Sequence, residues 1–269
     1  MNACAQKNAP AEIRNKSSQH VTDSFTLLSI IPGNFSDVEV DAVGNIYLLT
    51  SANQLKKLSS SGDSLAVFND VRRYGNVSYI DVSNPLRTLV YYKNFSTIII
   101  LDRLLSVRTT LNLRKNQIFK VNAVTTSYDN NLWIFDEQDI KLKKINEEGK
   151  ILMEGNDLRL LSEKIPAAAF IYDVENFVYV YDPQQGFFIF DQYAAFKNII
   201  PLLNWNSVAV TKKSISGITS GKLNFFDIEK NESRSYVLPG KFSKARQFKS
   251  VNNRIYILDD DGLRIYMIP

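Results

Sequence analysis

Residues able to carry out catalysis are few in this chain. It holds one histidine, His20, and one cysteine, Cys4. Serine- and cysteine-based hydrolysis needs a histidine placed beside the nucleophile, and His20 lies in a polar stretch without strand or helix periodicity. Zinc sites draw on clusters of Cys and His, which the composition does not supply. A single thiol excludes an intrachain disulfide. The carboxylates offer more. Asp259-Asp260-Asp261-Gly262 sets three acids before a glycine, and calcium takes about six to eight converging oxygens. An Asp-Gly step between two apolar runs, however, is a hairpin turn, and turn chemistry accounts for the run. The same holds for Tyr128-Asp129-Asn130-Asn131 and Val251-Asn252-Asn253, whose side chains tolerate left-handed backbone and bond their own chain. Metal and cofactor sites are therefore not expected.

The elements that must position any site are short strands. Ser36–Phe68 reads SDVEVDA, GNIYLLTS, NQLKKLSS and DSLAVF: four apolar or alternating runs separated by turn residues, which make one antiparallel meander. Such a unit cannot bury both its faces alone. Five more follow, across Val77–Leu113, Val121–Met153, Ala167–Leu203, Ser207–Pro239 and Arg246–Pro269. The first apolar residues of the second strands, Ile46, Leu89, Leu132, Phe177, Ile215 and Ile255, recur at spacings of 43, 43, 45, 38 and 40 residues. Four strands at a period near 40 predict a β-propeller rather than a sandwich, which has no reason to repeat at that length.

The expected fold is all-β, a six-bladed β-propeller with four antiparallel strands per blade. The sixth meander ends one strand short, while Phe25–Pro32 is a spare strand at the other end. Pairing the two closes the ring and removes exposed edges. The one helix signal is Asn156–Lys164, read as a short helix capped by Asn156.

Blade one, DVEVDAVGNIYLLTSANQLKKLSSSG, resembles the NHL repeat: an alternating strand, a G-N turn, an apolar strand, then a polar turn and a basic-apolar strand. The likeness covers Asp37–Gly62 and is partial at Tyr128–Gly149 and Val251–Ile268. It implies a scaffold used for protein binding, nucleic-acid binding or catalysis, so function does not follow from it. Six-bladed sugar lactonases and related hydrolases hold a metal with Glu, Asn and Asp at the starts of inner strands. The matching windows here are 38–40, 78–80, 122–124, 170–172, 208–210 and 247–249, and only Glu39 and Asn122 are good ligands among them. A lactonase-like hydrolase acting on a small molecule in the channel is therefore the alternative, and a non-catalytic role is preferred.

Net charge is +4 on 269 residues, without basic runs or a nucleic-acid-binding motif, so nucleic acid is not an expected partner. No apolar run approaches the ~18 residues of a membrane span. Residues 1–22 read as a flexible tail, and 23–269 as a single propeller domain. Asn2-Ala3-Cys4-Ala5 resembles the end of a bacterial lipoprotein signal or a cleavage site of A-x-A type. Lipidation at Cys4, or removal of the segment, would place the protein in the cell envelope, as a periplasmic protein or an outer-membrane lipoprotein.

Tyr91-Tyr92, Tyr179, Tyr181 and Trp133 fall in second strands and are expected in the core. Segments joining an outer strand to the next inner strand must gather on one face. They carry Arg73 and Tyr74, Arg114, Trp205 between two asparagines, and Arg246. These predict a cationic mouth with an acidic rim of Glu137, Asp139, Asp182 and Asp259–Asp261. The mouth would recognise an acidic protein segment or an anionic glycan, with Trp205 as aromatic anchor, or as a cap between blades four and five. Replacing Arg73, Arg114 and Arg246 together is expected to weaken capture and leave melting unchanged.

Overall fold

Period-two alternation, broken every few residues by a left-handed turn residue, folds this chain into successive four-stranded meanders. The computed structural model describes residues 14–15, 25–161, 164–242 and 244–267. Its strands form six blades of four antiparallel strands arranged as a propeller, one of them extended by a short fifth strand, with almost no helix. Inner strands are Phe35–Val40, Tyr79–Asn84, Val121–Thr126, Phe170–Val174, Asn206–Val210 and Gln247–Val251. In blade six the outer position is filled by Thr26–Pro32, antiparallel to Gly262–Met267, with Thr26 opposite Met267 and Pro32 opposite Gly262. The ring is thus closed by the N-terminal strand, as the spare and missing strands require.

Turn chemistry sets the register. Six turns share one construction: a side-chain acceptor at the first position, a left-handed residue at the fourth, and the fifth residue's N–H bonded back to the first side chain. Asp41, Thr50, Ser59, Asp102, Asn146 and Asp191 accept from Asn45, Gln54, Asp63, Ser106, Lys150 and Ala195 at 2.8–3.1 Å. Gly44, Gly62 and Gly149 take the strained position freely, and Asn53, Leu105 and Ala194 adopt it too. Asp259 belongs to the same chemistry, accepting from the N–H groups of Asp261 and Gly262, which disposes of the acidic run as a calcium loop.

Apolar faces then stack blade on blade. Six buried clusters form among the described residues, one at each joint, including one that joins Val38, Ile46 and Leu48 of blade one to Tyr256, Leu258 and Ile265 of blade six. Tyr91, Tyr92, Tyr179, Tyr181 and Trp133 lie in these clusters, as their strand positions predict. The helix expected over Asn156–Lys164 is shorter than expected. It is a single 3-10 turn, Leu158–Leu160, and Asp157 rather than Asn156 caps it, accepting from Arg159 N–H. With one turn buried through Leu158 alone, too little apolar surface is covered to extend it. Of the tail expected over residues 1–22, Arg14–Asn15 pair in parallel with Glu232–Ser233; Cys4 and His20 lie outside the described residues. No helix among the described residues is long and apolar enough to cross a membrane.

Candidate functional site

The inner strands surround a central channel of about 610 Å³. Its composition follows from the phase of each strand. In blade one Val38 and Val40 turn into the core, so Asp37 and Glu39 face the channel. Blade two turns Ile80 and Val82 inward to the core and Tyr79 and Asp81 to the channel. Blade four contributes Phe170 and Tyr172, and blade six Gln247 and Lys249. Blade three contributes only Thr125, because its inner strand is bulged between Val121 and Val124. Tyr79 and Phe170 approach across the gap, with ring centroids 6.0 Å apart, and Phe170 lies 6.4 Å from Tyr172.

The channel therefore has two unlike walls. On one side three aromatic rings run in sequence. On the other, Lys249 Nζ donates to Glu39 Oε1 at 2.6 Å, and Asp37, whose carboxylate accepts from its neighbour Val38 N–H at 2.9 Å, adds a second negative charge. Burial pushes the Glu39 carboxyl up to about 7, with Asp37 and Asp81 reinforcing and Lys249 opposing. Burial works against the Lys249 ammonium, but Glu39 and Asp37 outweigh it and raise its pKa. Burial also lifts the phenols of Tyr79 and Tyr172, and nearby carboxylates add to the shift.

The other charged lining groups are committed to structure. Asp81 accepts from Thr125 Oγ1 and Thr126 N–H of blade three. Asp173 accepts from Ser127 Oγ, Tyr128 N–H and the indole N–H of Trp133. Asn122 donates to the Ala168 carbonyl and is contacted by Lys93, so it links blades and does not line the channel. Among the described residues no group of three or more His, Cys, Asp or Glu is placed to hold a metal ion.

The five residues expected at the mouth do not converge. Arg73 is exposed and lies 5.0 Å over the ring of Tyr74. Tyr74 is only 9% exposed and packs on Tyr92 and Phe95. Arg114 is exposed on its interblade turn, donating to Ser96 Oγ at 3.1 Å and Asn94 O at 3.5 Å. Only Trp205 and Arg246 reach the channel lining. Trp205 is 7% exposed. Its backbone N–H and carbonyl both bond the Tyr181 hydroxyl, and its ring packs against Gly217, where a Cβ would lie 2.8 Å from the indole. It thus caps the joint between blades four and five. Arg246 is a clamp: it donates to the carbonyls of Phe35 and Asp259 and pairs with Asp260 at 3.2 Å.

The channel wall carries Asp37, Glu39, Asp81 and Asp173 against Arg246 and Lys249, so the channel behind the mouth is acidic, while Arg73 and Arg114 stand outside its lining. Replacing Arg246 removes an interblade clamp, so the expectation of unchanged melting is corrected: the triple arginine variant should melt lower than wild type. Asp37 falls one residue before and Asp81 one residue after the windows matched to lactonases, whereas Tyr79 and Lys249 fall inside them and are not metal ligands of the kind sought there. Two-residue phasing against Val38, Ile80 and Phe248 would have found them.

No family model and no curated protein sequence matches the chain. Its fold is similar to solved propellers at low identity. Virginiamycin B lyase from Staphylococcus aureus superposes with a TM-score of 0.61 at 12% identity, over 90% of this chain and 99% of that one. A Bacteroides fragilis protein whose name proposes export gives 0.61 at 12% identity, over 95% and 99%. PorZ, a surface component of the type-IX secretion system of Porphyromonas gingivalis, gives 0.50 at 14%, over 91% of this chain and 38% of that one. These similarities establish the six-bladed architecture.

Proposed function

We propose that this chain is a non-catalytic binding or scaffold propeller of the bacterial cell envelope, recognising a protein or glycan partner through the face that bears its interblade turns. The observation that carries the reading is the state of the arginines there. Arg73 and Arg114 are exposed, yet each is steadied by its own turn, one on an aromatic ring and one on a hydroxyl and a carbonyl. Guanidiniums held in place lose less entropy on meeting carboxylates. They are the charge partners of an acidic protein segment or anionic glycan, with Tyr74 supporting Arg73 and with Trp205 and Arg246 forming the channel end of the same face. The NHL-like repeats of blade one suit this role.

Envelope placement is supported by the Asn2-Ala3-Cys4-Ala5 context, with Cys4 lipidated or removed, and by neighbours named for export and for a bacterial surface.

The alternative, a channel enzyme, has one observation on its side: Glu39 titrates near neutrality, where a general base is useful. Against it, that carboxylate is held by Lys249. A histidine-to-alanine variant of the similar lyase is described as catalytically inactive, and the only histidine here is His20.

The test is capture from native envelope extract by immobilised protein, comparing wild type with the double variant Arg73→Ser/Arg114→Ser at low and high salt. Salt-sensitive capture that the variant loses supports the reading. Undiminished capture by the variant refutes the assignment of these arginines.

A further inference from the structure

We infer that the central channel is itself a binding site, distinct from the loop face, and that its ligand is a small organic cation with an apolar or planar body, held between the Tyr79–Phe170–Tyr172 wall and the Asp37–Glu39 carboxylates.

The argument begins with volume. About 610 Å³ falls within the range of small-molecule sites, roughly 300–1,000 Å³. The walls then select the chemistry. Three rings in a row, Phe170 touching both Tyr79 and Tyr172, offer negative π faces to a cation and stacking surface to its body. Opposite them, Lys249 neutralises one of two adjacent carboxylates. Asp81 and Asp173 are occupied by bonds from blade three, and Arg246 is occupied by Asp260 and two carbonyls. Asp37 and Glu39 thus share the single ammonium of Lys249, and the wall keeps a surplus of negative charge. An anion would meet Asp37 and Glu39 head on. A neutral sugar would use the rings but leave the surplus charge unanswered.

The titration of Glu39 gives the ligand a signature. Glu39 faces Lys249, Asp37, Asp81, Tyr79 and Tyr172, and burial raises its carboxyl to about 7, so it holds a proton part of the time at neutral pH. A cation entering the channel stabilises the charged carboxylate and expels that proton. A neutral ligand moves no proton, and an anion takes one up.

The experiment is titration calorimetry of the full chain at pH 7 in two buffers of different ionisation enthalpy. The probes are choline and agmatine as cations, glucose as the neutral control and glucuronate as the anion. The expected result is that at least one cation binds with proton release, and that Asp37→Asn and Tyr79→Leu each weaken it by at least about tenfold while unfolding remains cooperative. A third variant, Arg114→Ser, is expected to leave cation binding unchanged, which separates the channel from the loop face. The inference is overturned if neither cation binds at millimolar concentration. It is equally overturned if glucose or glucuronate binds as well as the cations, or if both channel variants bind like wild type.

Discussion

Replacing Asp173 by alanine tests how the blades are joined. This carboxylate, on the inner strand of blade four, reaches blade three and accepts from Ser127 Oγ at 2.8 Å, Tyr128 N–H at 3.2 Å and Trp133 Nε1 at 2.8 Å. Trp133 and Ser127 are buried, so their donors have no water to turn to once the acceptor is gone. Tyr128 is exposed and its N–H is rehydrated. Two orphaned buried donors cost about 1–3 kcal/mol each, so Asp173→Ala should lose about 2–6 kcal/mol. Asp173→Asn keeps one acceptor oxygen and should lose about half as much. The control is Asp260→Ala. That side chain is 82% exposed in its pair with Arg246, so its removal should cost under about 1 kcal/mol. Urea unfolding followed by tryptophan fluorescence reads all three. With an m-value near 3 kcal/mol/M, the alanine variant shifts the midpoint by about 0.7–2 M. A midpoint for Asp173→Ala within error of that for Asp260→Ala would refute the reasoning that polar bonds across the channel rim join blades three and four.

Three further outcomes follow from the same structure. Removing residues 1–33 uncovers Gly262–Met267 and takes Phe25 from its edge contact with Phe242 at 5.4 Å; calorimetry should show cooperative unfolding lost, and a melt like the full chain's contradicts closure. Because the folded protein keeps the Glu39 proton that an unfolded chain releases above about pH 4.5, this group's contribution declines as pH rises to about 7, by at most about 3 kcal/mol. Denaturation at pH 5 and 7.5 should show that decline in wild type and a flatter profile in Glu39→Gln; parallel profiles argue against a raised carboxyl. Intact-mass analysis of the native gene product should find Cys4 lipidated or absent, and an unmodified chain beginning at Met1 in the cytosol counts against envelope placement.

The architecture was legible because it is written locally and repeated. Turn residues and two-residue alternation depend on near neighbours, and six copies at a period near 40 average out irregularities in any one blade. Closure was legible as a count of strands. The site was harder to read for a physical reason. Whether Asp37 or Val38 faces the channel depends on strand phase, which the alternation of blade one does show. The retreat of blade three depends on a bulge and on the Asn122–Ala168 bond, which no local pattern announces. Arg246 looked like a free surface charge, yet it bonds the carbonyl of Phe35, 211 residues away in sequence. Trp205 looked equally like an anchor and a cap, and only the approach of its ring to Gly217 shows the cap.

The proposed binding face is tested most directly by hydrogen exchange on the protein with a partner captured from envelope extract bound. Slowed exchange is expected in the interblade turns Val71–Tyr74 and Leu113–Asn116 and the hairpin around Lys93–Phe95, with the partner's mass unchanged after release. Protection confined to the opposite hairpins, at Asp41–Asn45 and Asn146–Lys150, or a chemically altered partner, would contradict a non-catalytic binding role on this face.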